Sequence, residues 1–108
     1  MLMGRVTGTV VATQKDDKLG GLRFMLVKPI GLDLKEGDSL VVAADSVGAG
    51  VGEVVLYASG SSARQTEMTD NRPVDATIMA IVDSFDVMGA KKYDKQQEDL
   101  SGKFDPIS

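Results

Sequence analysis

Residues 45–64 form the stretch DSVGAGVGEVVLYASGSSAR, which places one predicted strand between two glycine-rich corners. The first corner covers residues 48–52 and the second covers residues 60–63, with the apolar run 54–58 between them. Valine, leucine and tyrosine in that run favour a β-strand. Glycine permits positive φ and the close approach of another backbone. We therefore expect the corners to pack against another strand, another subunit or a ligand.

The first corner has the look of a phosphate-binding loop, but its pattern argues against a dinucleotide site. That fingerprint needs Gly-x-Gly-x-x-Gly at the start of a helix, where backbone amides meet the pyrophosphate. The sixth position here is Glu53, and strand-forming residues follow it. A carboxylate at that point would repel phosphate, so we expect no nucleotide cofactor.

The second corner partly matches the serine nucleophile elbow Gly-x-Ser-x-Gly. Its fifth position is Arg64 where the elbow needs glycine, and the chain contains no histidine to act as the base. A serine–lysine arrangement is the alternative, but no lysine lies close by in the sequence. We predict that Ser61 and Ser62 are turn residues.

Composition limits the chemistry of this 108-residue chain, which has the length of one domain. It has neither cysteine nor histidine, which removes disulfides, thiolate chemistry and zinc sites built from these ligands. Only carboxylates remain as metal ligands, and no calcium-loop spacing is present. We expect no metal and no cofactor.

The charge balance argues against nucleic acid as a partner. Twelve basic residues stand against sixteen acidic ones, a net charge of −4, and only five residues are aromatic. Nucleic-acid binding calls for basic faces and stacking aromatic rings. No apolar run reaches the length of a membrane span, and the first residues show no secretory pattern. We expect a soluble, cytoplasmic protein.

Five largely apolar segments separated by turn-rich or polar stretches predict five strands, at residues 3–13, 22–29, 39–44, 53–59 and 73–83. Gly4 and Gly8 within the first strand indicate bends or bulges. The apolar centre of the fifth indicates burial on both faces. A small chain with so many strands and so little helix favours a closed five-stranded barrel, since closure removes exposed edges.

The chain changes character after this region. Residues 87–100 are charged and predict a short helix whose start is weakened by Gly89, and residues 101–108 are predicted to be disordered. We expect a barrel domain at residues 1–87 and a charged tail at residues 88–108. The tail has three open interpretations: a helix docked on a neighbour, a contact to cargo, or disorder.

Five blocks occur along the chain in a fixed order and carry a family resemblance. The blocks are Gly4-Arg5-Val6-x-Gly8-Thr9-Val10-Val11, Gly21-Leu22-Arg23-x-Met25-Leu26-Val27, Asp45-x-Val47-Gly48-Ala49-Gly50-x-Gly52-Glu53-x-Val55, Gly60-Ser61-Ser62-Ala63-Arg64 and Pro73-Val74-Asp75-Ala76-x-Ile78-x-x-Ile81-Val82-Asp83. Together they closely resemble the vertex proteins of bacterial microcompartments, the family of the carboxysome pentamers and the ethanolamine-utilisation vertex protein. The resemblance covers about residues 1–83, while residues 30–39 look like a variable insertion.

The resemblance implies a β-barrel of the oligonucleotide-binding type that assembles as a cyclic homopentamer. Such pentamers cap the vertices of a polyhedral shell whose facets are hexameric shell proteins, and they catalyse nothing. The alternative function is an acidic binding or adaptor module of the same fold with no connection to a shell. A hydrolase using Asp45, Glu53 or Asp75 is a further rival, but the sequence shows no positioned carboxylate pair.

We predict that the two corners and nearby charges form the subunit interface or lie near the ring axis, because close backbone approach there requires small residues. Asp45, Glu53 and Asp75 are the predicted acceptors and Arg64 the predicted donor of interfacial ion pairs. Solvated charges at strand ends are the alternative for these four. The full predicted set is Asp45, Gly48, Ala49, Gly50, Gly52, Glu53, Gly60, Ser61, Ser62, Ala63, Arg64 and Asp75.

Overall fold

The computed structural model describes residues 1–11, 23–60 and 76–101, and of residues 99–101 the backbone alone. Within these ranges the chain forms seven strands followed by one helix. The strands are β1 (Leu2–Val10), β2 (Arg23–Pro29), β3 (Val41–Asp45), β4 (Val54–Ser59), β5 (Ala76–Ile81), β6 (Ser84–Val87) and β7 (Ala90–Asp94), and the helix is α1 (Lys95–Ser101).

Strands β1 to β5 close into a barrel, as the sequence predicted. The strand order around the barrel is β1-β2-β3-β5-β4, and β4 pairs with β1 to complete it. Every pairing is antiparallel except that of β3 with β5. Closure gives each of the five strands a paired neighbour on both sides, although β3 and β5 pair over only two residues of each strand.

The core fills the barrel because alternate side chains along each strand point inward. Its fully buried members are Val6, Met25, Val27, Ala43, Ala49, Val55, Tyr57, Ala76 and Ile78. The bulge predicted at Gly8 is confirmed, because the register between β1 and β2 shifts between Val6 and Gly8. A bulge increases local twist and helps so short a sheet to close.

The predicted strands match β1 to β5 to within three residues wherever those residues are described. The third strand is shifted, beginning at Val41 and including Asp45. The fifth is buried on both faces only over its first half, where Ala76, Thr77 and Ile78 are covered, whereas Met79 is exposed. Predicted strand residues 12–13, 22 and 73–75 lie outside the described part of the chain.

The prediction of one helix over residues 87–100 is wrong in its first half. Val87 and residues 90–94 belong to a β-hairpin of β6 and β7, and the helix begins only at Lys95. Met88 and Gly89 both have positive φ, 52° and 83°, which is the geometry of a two-residue hairpin turn. The predicted domain boundary, between residues 87 and 88, falls in this turn. The prediction of disorder over residues 101–108 is wrong at Ser101, which ends the helix, and residues 102–108 lie outside the described ranges.

A second apolar cluster lies outside the barrel, under the hairpin. Its buried members are Ile30, Val54 and Tyr93, and the half-buried side chains of Met3, Leu34, Val82 and Phe85 pack against it. The rings of Tyr93 and Phe85 stack with their centroids 6.0 Å apart. The hairpin is therefore packed on the outer wall of the barrel, and it brings the helix that follows to the same wall.

We predict that Gly4→Ala destabilises the barrel, because strands β1, β2 and β4 meet at this residue. A Cβ atom at Gly4 would collide with Cγ1 of Val27 and would lie 3.0 Å from the Lys28 carbonyl oxygen and from the Tyr57 ring. We expect the free energy of unfolding in urea to fall by about 1–3 kcal/mol.

Gly37→Ala is the matched control, because a Cβ atom there would meet its nearest neighbour, the Pro29 carbonyl oxygen, at 3.5 Å. Equal unfolding midpoints for the two variants would contradict the close packing at Gly4.

Candidate subunit interface

The first predicted corner forms a loop that joins β3 to β4 at one end of the barrel. Its outer surface consists of Ser46, Val47, Gly48 and Val51, all of which are exposed. Val47 and Val51 thus present apolar side chains to solvent. Loops that face only water usually carry polar residues at such positions. These two valines are the apolar part of the loop that the structure leaves open to contact.

Asp45 folds this loop from beneath. Its carboxylate is fully buried and accepts two backbone hydrogen bonds, from the N–H of Val47 to Oδ1 and from the N–H of Ala49 to Oδ2, both 3.1 Å long. The guanidinium of Arg23, its partner across the β2–β3 ladder, lies 3.6 Å from Oδ2. The predicted interfacial acceptor therefore already has partners within its own subunit.

The small residues of the corner divide into two roles. Gly48 and Gly52 have φ of 79° and 96°, a conformation that residues with a Cβ rarely adopt. Ala49, between them in the predicted set, is 1% exposed and belongs to the barrel core. Its side chain seals the end of the barrel and is not available to a neighbouring subunit.

Glu53 closes the loop at its far end. Oε1 accepts a hydrogen bond from the N–H of Gly50, and Oε2 forms an ion pair with Lys95 at the start of α1. The Glu53 backbone is bonded to the barrel as well, since its carbonyl accepts from the N–H of Val6 at 2.9 Å. This second predicted acceptor is thus also engaged within the subunit.

Arg5 holds the loop from the side of β1, a role that was not predicted from the sequence. Its Nη1 donates to the carbonyl of Gly52 at 2.8 Å and to Glu98 at 3.1 Å, while Nη2 donates to the other carboxylate oxygen of Glu98 at 3.3 Å. A single arginine among the Val, Thr and Gly residues of β1 was the sequence signal that could have indicated a structural role for this charge. Nothing in the local sequence connects it with a glutamate 93 residues away.

Tyr93 completes the buried layer around Arg5. The guanidinium carbon lies 6.0 Å from the centre of the Tyr93 ring, within cation–π distance. Burial raises the pKa of the Tyr93 phenol above its ordinary value of 10.0, and Glu98 shifts it in the same direction. Arg5, the Val54 backbone and Lys95 oppose that rise.

Much of the second predicted corner lies outside the described residues. Gly60 is described and is exposed with φ of 64°, which fits a turn at the end of β4. The remaining members of the predicted set, Ser61, Ser62, Ala63, Arg64 and Asp75, are in the undescribed range 61–75. The role of these residues at an interface stays a prediction.

The carboxylates of Asp45 and Glu53 are engaged within the subunit and not left open to a ligand. Asp45 and Glu53 are engaged by backbone amides and cations, and residues 1–11, 23–60 and 76–101 contain no cluster of three or more potential metal ligands. An open cleft of about 390 Å³ is lined by Asp83, Ser84, Asp94, Lys95 and Gln96.

Within residues 1–11, 23–60 and 76–101, no helix has the length and apolar character needed to cross a membrane.

We predict that Asp45→Ala destabilises the protein, because the substitution leaves the buried N–H of Ala49 and the N–H of Val47 without their acceptor. An unsatisfied buried donor costs about 1–3 kcal/mol. We expect a loss of this size in the urea-derived free energy of unfolding, and a smaller one for Asp45→Asn, which keeps one acceptor oxygen. Asp38→Ala, which removes an exposed carboxylate, is the control; a loss as large there would refute the role of the Asp45 hydrogen bonds.

We predict that stability falls at alkaline pH as Tyr93 ionises. Its folded-state pKa is raised above 10.0, so the stabilisation from the neutral phenol is fully present below pH 10 and is lost as the pH rises through the folded-state value. Burial raises the pKa of Tyr57 as well, so both tyrosines of the chain should ionise above pH 10. Tyrosinate absorbance in the parent and in Tyr93→Phe measures the two transitions, and a midpoint at or below 10.0 would contradict this expectation.

Residues 1–83 of the chain match the family described as "Ethanolamine utilisation protein EutN/carboxysome". The chain is 41% identical over 98 residues to the carboxysome shell vertex protein CcmL of Gloeobacter violaceus, a match that spans 91% of this chain and 98% of that protein. It is 44% identical over 90 residues to the bacterial microcompartment shell vertex protein PduN of Salmonella typhimurium, across 78% of this chain and 97% of that one.

Solved structures give the same result at the level of the fold. The structure of Gloeobacter violaceus CcmL superposes with a TM-score of 0.84 at 42% identity, covering 89% of this chain and 99% of that one. The GrpN pentameric microcompartment shell protein from Rhodospirillum rubrum superposes with a TM-score of 0.72 at 39% identity, covering 81% and 100%. The chain belongs to the ethanolamine utilisation protein EutN/carboxysome family.

Proposed function

We propose that this protein is a structural shell protein that forms a cyclic homopentamer and caps the vertices of a bacterial microcompartment. The observation that carries the proposal is the match along nearly the whole length of shell vertex proteins, together with the shared fold of a pentameric shell protein. A polyhedral shell whose facets are hexagonal layers stays flat unless fivefold units are inserted. A pentamer at those positions closes the shell.

The geometry of a ring supports a role for the β3–β4 corner. In a cyclic assembly each subunit contacts the next through two different surface patches. The corner offers one compact patch, in which Val47 and Val51 are exposed and the exposed Gly48 lets a neighbouring backbone come close. In this proposal the backbone and valines of the corner face the neighbour, whereas Asp45, Ala49 and Glu53 hold the corner from within the subunit.

The partners of the ring are other copies of this chain and the hexameric shell proteins around each vertex. Neither nucleic acid nor a membrane is a partner in this proposal, which places the protein in the microcompartment shell inside the cytoplasm. The chain itself catalyses nothing, and the enclosed enzymes are separate polypeptides. The engagement of Asp45 and Glu53 by backbone amides supports a structural use of these carboxylates.

The proposal predicts a native mass of about 57 kDa, five times the 11.4 kDa chain, in native mass spectrometry of the purified protein. Co-expression with a hexameric shell protein should then give closed polyhedral particles in electron micrographs. The same hexamer expressed alone is the control, and it should give sheets or tubes without vertices.

A monomer would contradict the proposal and favour an acidic adaptor module of the same fold. A ring of another size would contradict the fivefold position. A pentamer that leaves the hexamer sheets unclosed would contradict vertex capping while leaving the ring itself in place.

A further inference from the structure

Helix α1 follows residues 1–83, which the family model matches, and its side chains reach the corner of the barrel. Two contacts make the connection: Glu98 binds Arg5, and Lys95 binds Glu53. Each of the two barrel residues in turn binds the corner backbone, Arg5 at the carbonyl of Gly52 and Glu53 at the N–H of Gly50. The helix is thus connected to the corner through two chains of contacts. We call Glu98–Arg5–Gly52 the Arg5 relay and Lys95–Glu53–Gly50 the Glu53 relay.

The Arg5 relay is stable because separating the buried Arg5–Glu98 ion pair would leave an uncompensated charge. The side chain of Arg5 is 7% exposed and that of Glu98 is 16% exposed, so both charges are largely removed from water. A buried guanidinium without a carboxylate is strongly unfavourable, and its planar fork fixes the direction of the bonds that it makes. While Glu98 engages one side of the fork, Nη1 is held against the carbonyl of Gly52.

The Glu53 relay fixes the corner through the two oxygens of one carboxylate. Oε1 accepts from the N–H of Gly50, and Oε2 faces the ammonium group of Lys95. The carboxylate can therefore not turn away from the loop without losing its cation. Lys95 is itself anchored, because its backbone N–H donates to the carbonyl of Asp83 at 2.8 Å.

We propose that α1 is an intrachain strap, in which Lys95 and Glu98 act through Glu53 and Arg5 to hold the Gly50–Gly52 backbone in the conformation that assembles into the ring. This inference rests on the proposed function, to which it adds the residues that position the interface. Gly48 and Gly52 need positive φ, and glycine also has the widest choice of other conformations. A loop with three glycines gains most from external restraint, since ordering it in advance lowers the entropic cost of association.

The strap assigns an intrachain role to the helical part of the charged tail, Lys95–Ser101. The sequence left open a helix docked on a neighbour, a contact to cargo, or disorder. The described contacts of Lys95 and Glu98 with Arg5 and Glu53 are made inside the same chain. In this proposal the tail acts on the neighbour indirectly, through the corner that it holds.

The test is Glu98→Gln in the full-length chain, with Glu36→Gln as the matched control. Both variants remove one negative charge and keep the side-chain shape, but Glu36 is exposed on the loop between β2 and β3. Hydrogen exchange should show the amides of Gly50 and Gly52 opening about tenfold faster in Glu98→Gln, the factor expected when a charged hydrogen bond is lost. Amides of the β2–β3 ladder should keep their exchange rates.

Native mass spectrometry over a dilution series supplies the second readout. The concentration at which the ring dissociates should rise about tenfold or more in Glu98→Gln and stay at the parent value in Glu36→Gln. Lys95→Gln breaks the other relay and should accelerate exchange at Gly50 while leaving the Arg5–Glu98 pair intact.

Three results would overturn the strap. The first is corner exchange in Glu98→Gln that equals the Glu36→Gln control. The second is faster exchange throughout the barrel, which would make the helix a general stabilising element. The third is faster amide exchange at the corner in Glu98→Gln while the concentration at which the ring dissociates stays at the parent value. A parent chain without a ring would defeat the proposed function instead, and corner exchange would still decide whether the strap restrains the loop.

Discussion

The guanidinium of Arg5 lies between strand β1 and helix α1, and the outer wall of the barrel is organised around it. On a bare barrel this side chain would point into water, because its neighbours Gly4 and Val6 face inward. The hairpin and helix cover it, so its buried charge needs a carboxylate partner, which Glu98 supplies, and Nη1 also donates to the carbonyl of Gly52. Docking of helix α1 and the shape of the β3–β4 corner therefore depend on the same buried charge.

The corner itself shows how a loop rich in glycine can be well defined. Its amides at Val47, Ala49 and Gly50 are bonded to carboxylates, two to Asp45 and one to Glu53. A backbone held in this way can present exposed apolar side chains to a neighbour without collapsing onto its own core. Asp45 and Glu53, which the sequence suggested as interfacial charges, thus hold the corner from within the subunit, and its exposed surface is mostly backbone and valine.

The sequence predicted the barrel well and the region after it poorly. Alternating β-branched residues and turn signals gave five strands whose described ends differ from the observed ones by at most three residues. The β6–β7 hairpin was missed because Met88 occupies a turn position that usually holds asparagine or glycine, which hid the turn signal before Gly89. The Ala, Lys, Gln and Glu residues that follow it favour a helix by composition, and only packing of Tyr93 on Ile30 and Val54 selects the hairpin.

The sequence by itself determined the barrel, the position of the corner between two strands and the exclusion of cysteine and histidine chemistry. Periodicity, glycine spacing and composition are local properties, and local sequence carries them completely. Tertiary structure alone decided that Asp45 turns inward, that Ala49 enters the core and that Arg5 meets Glu98. These outcomes depend on which groups are brought together from distant parts of the chain and desolvated, and desolvation decides whether a charge is a solvated surface group or a structural one.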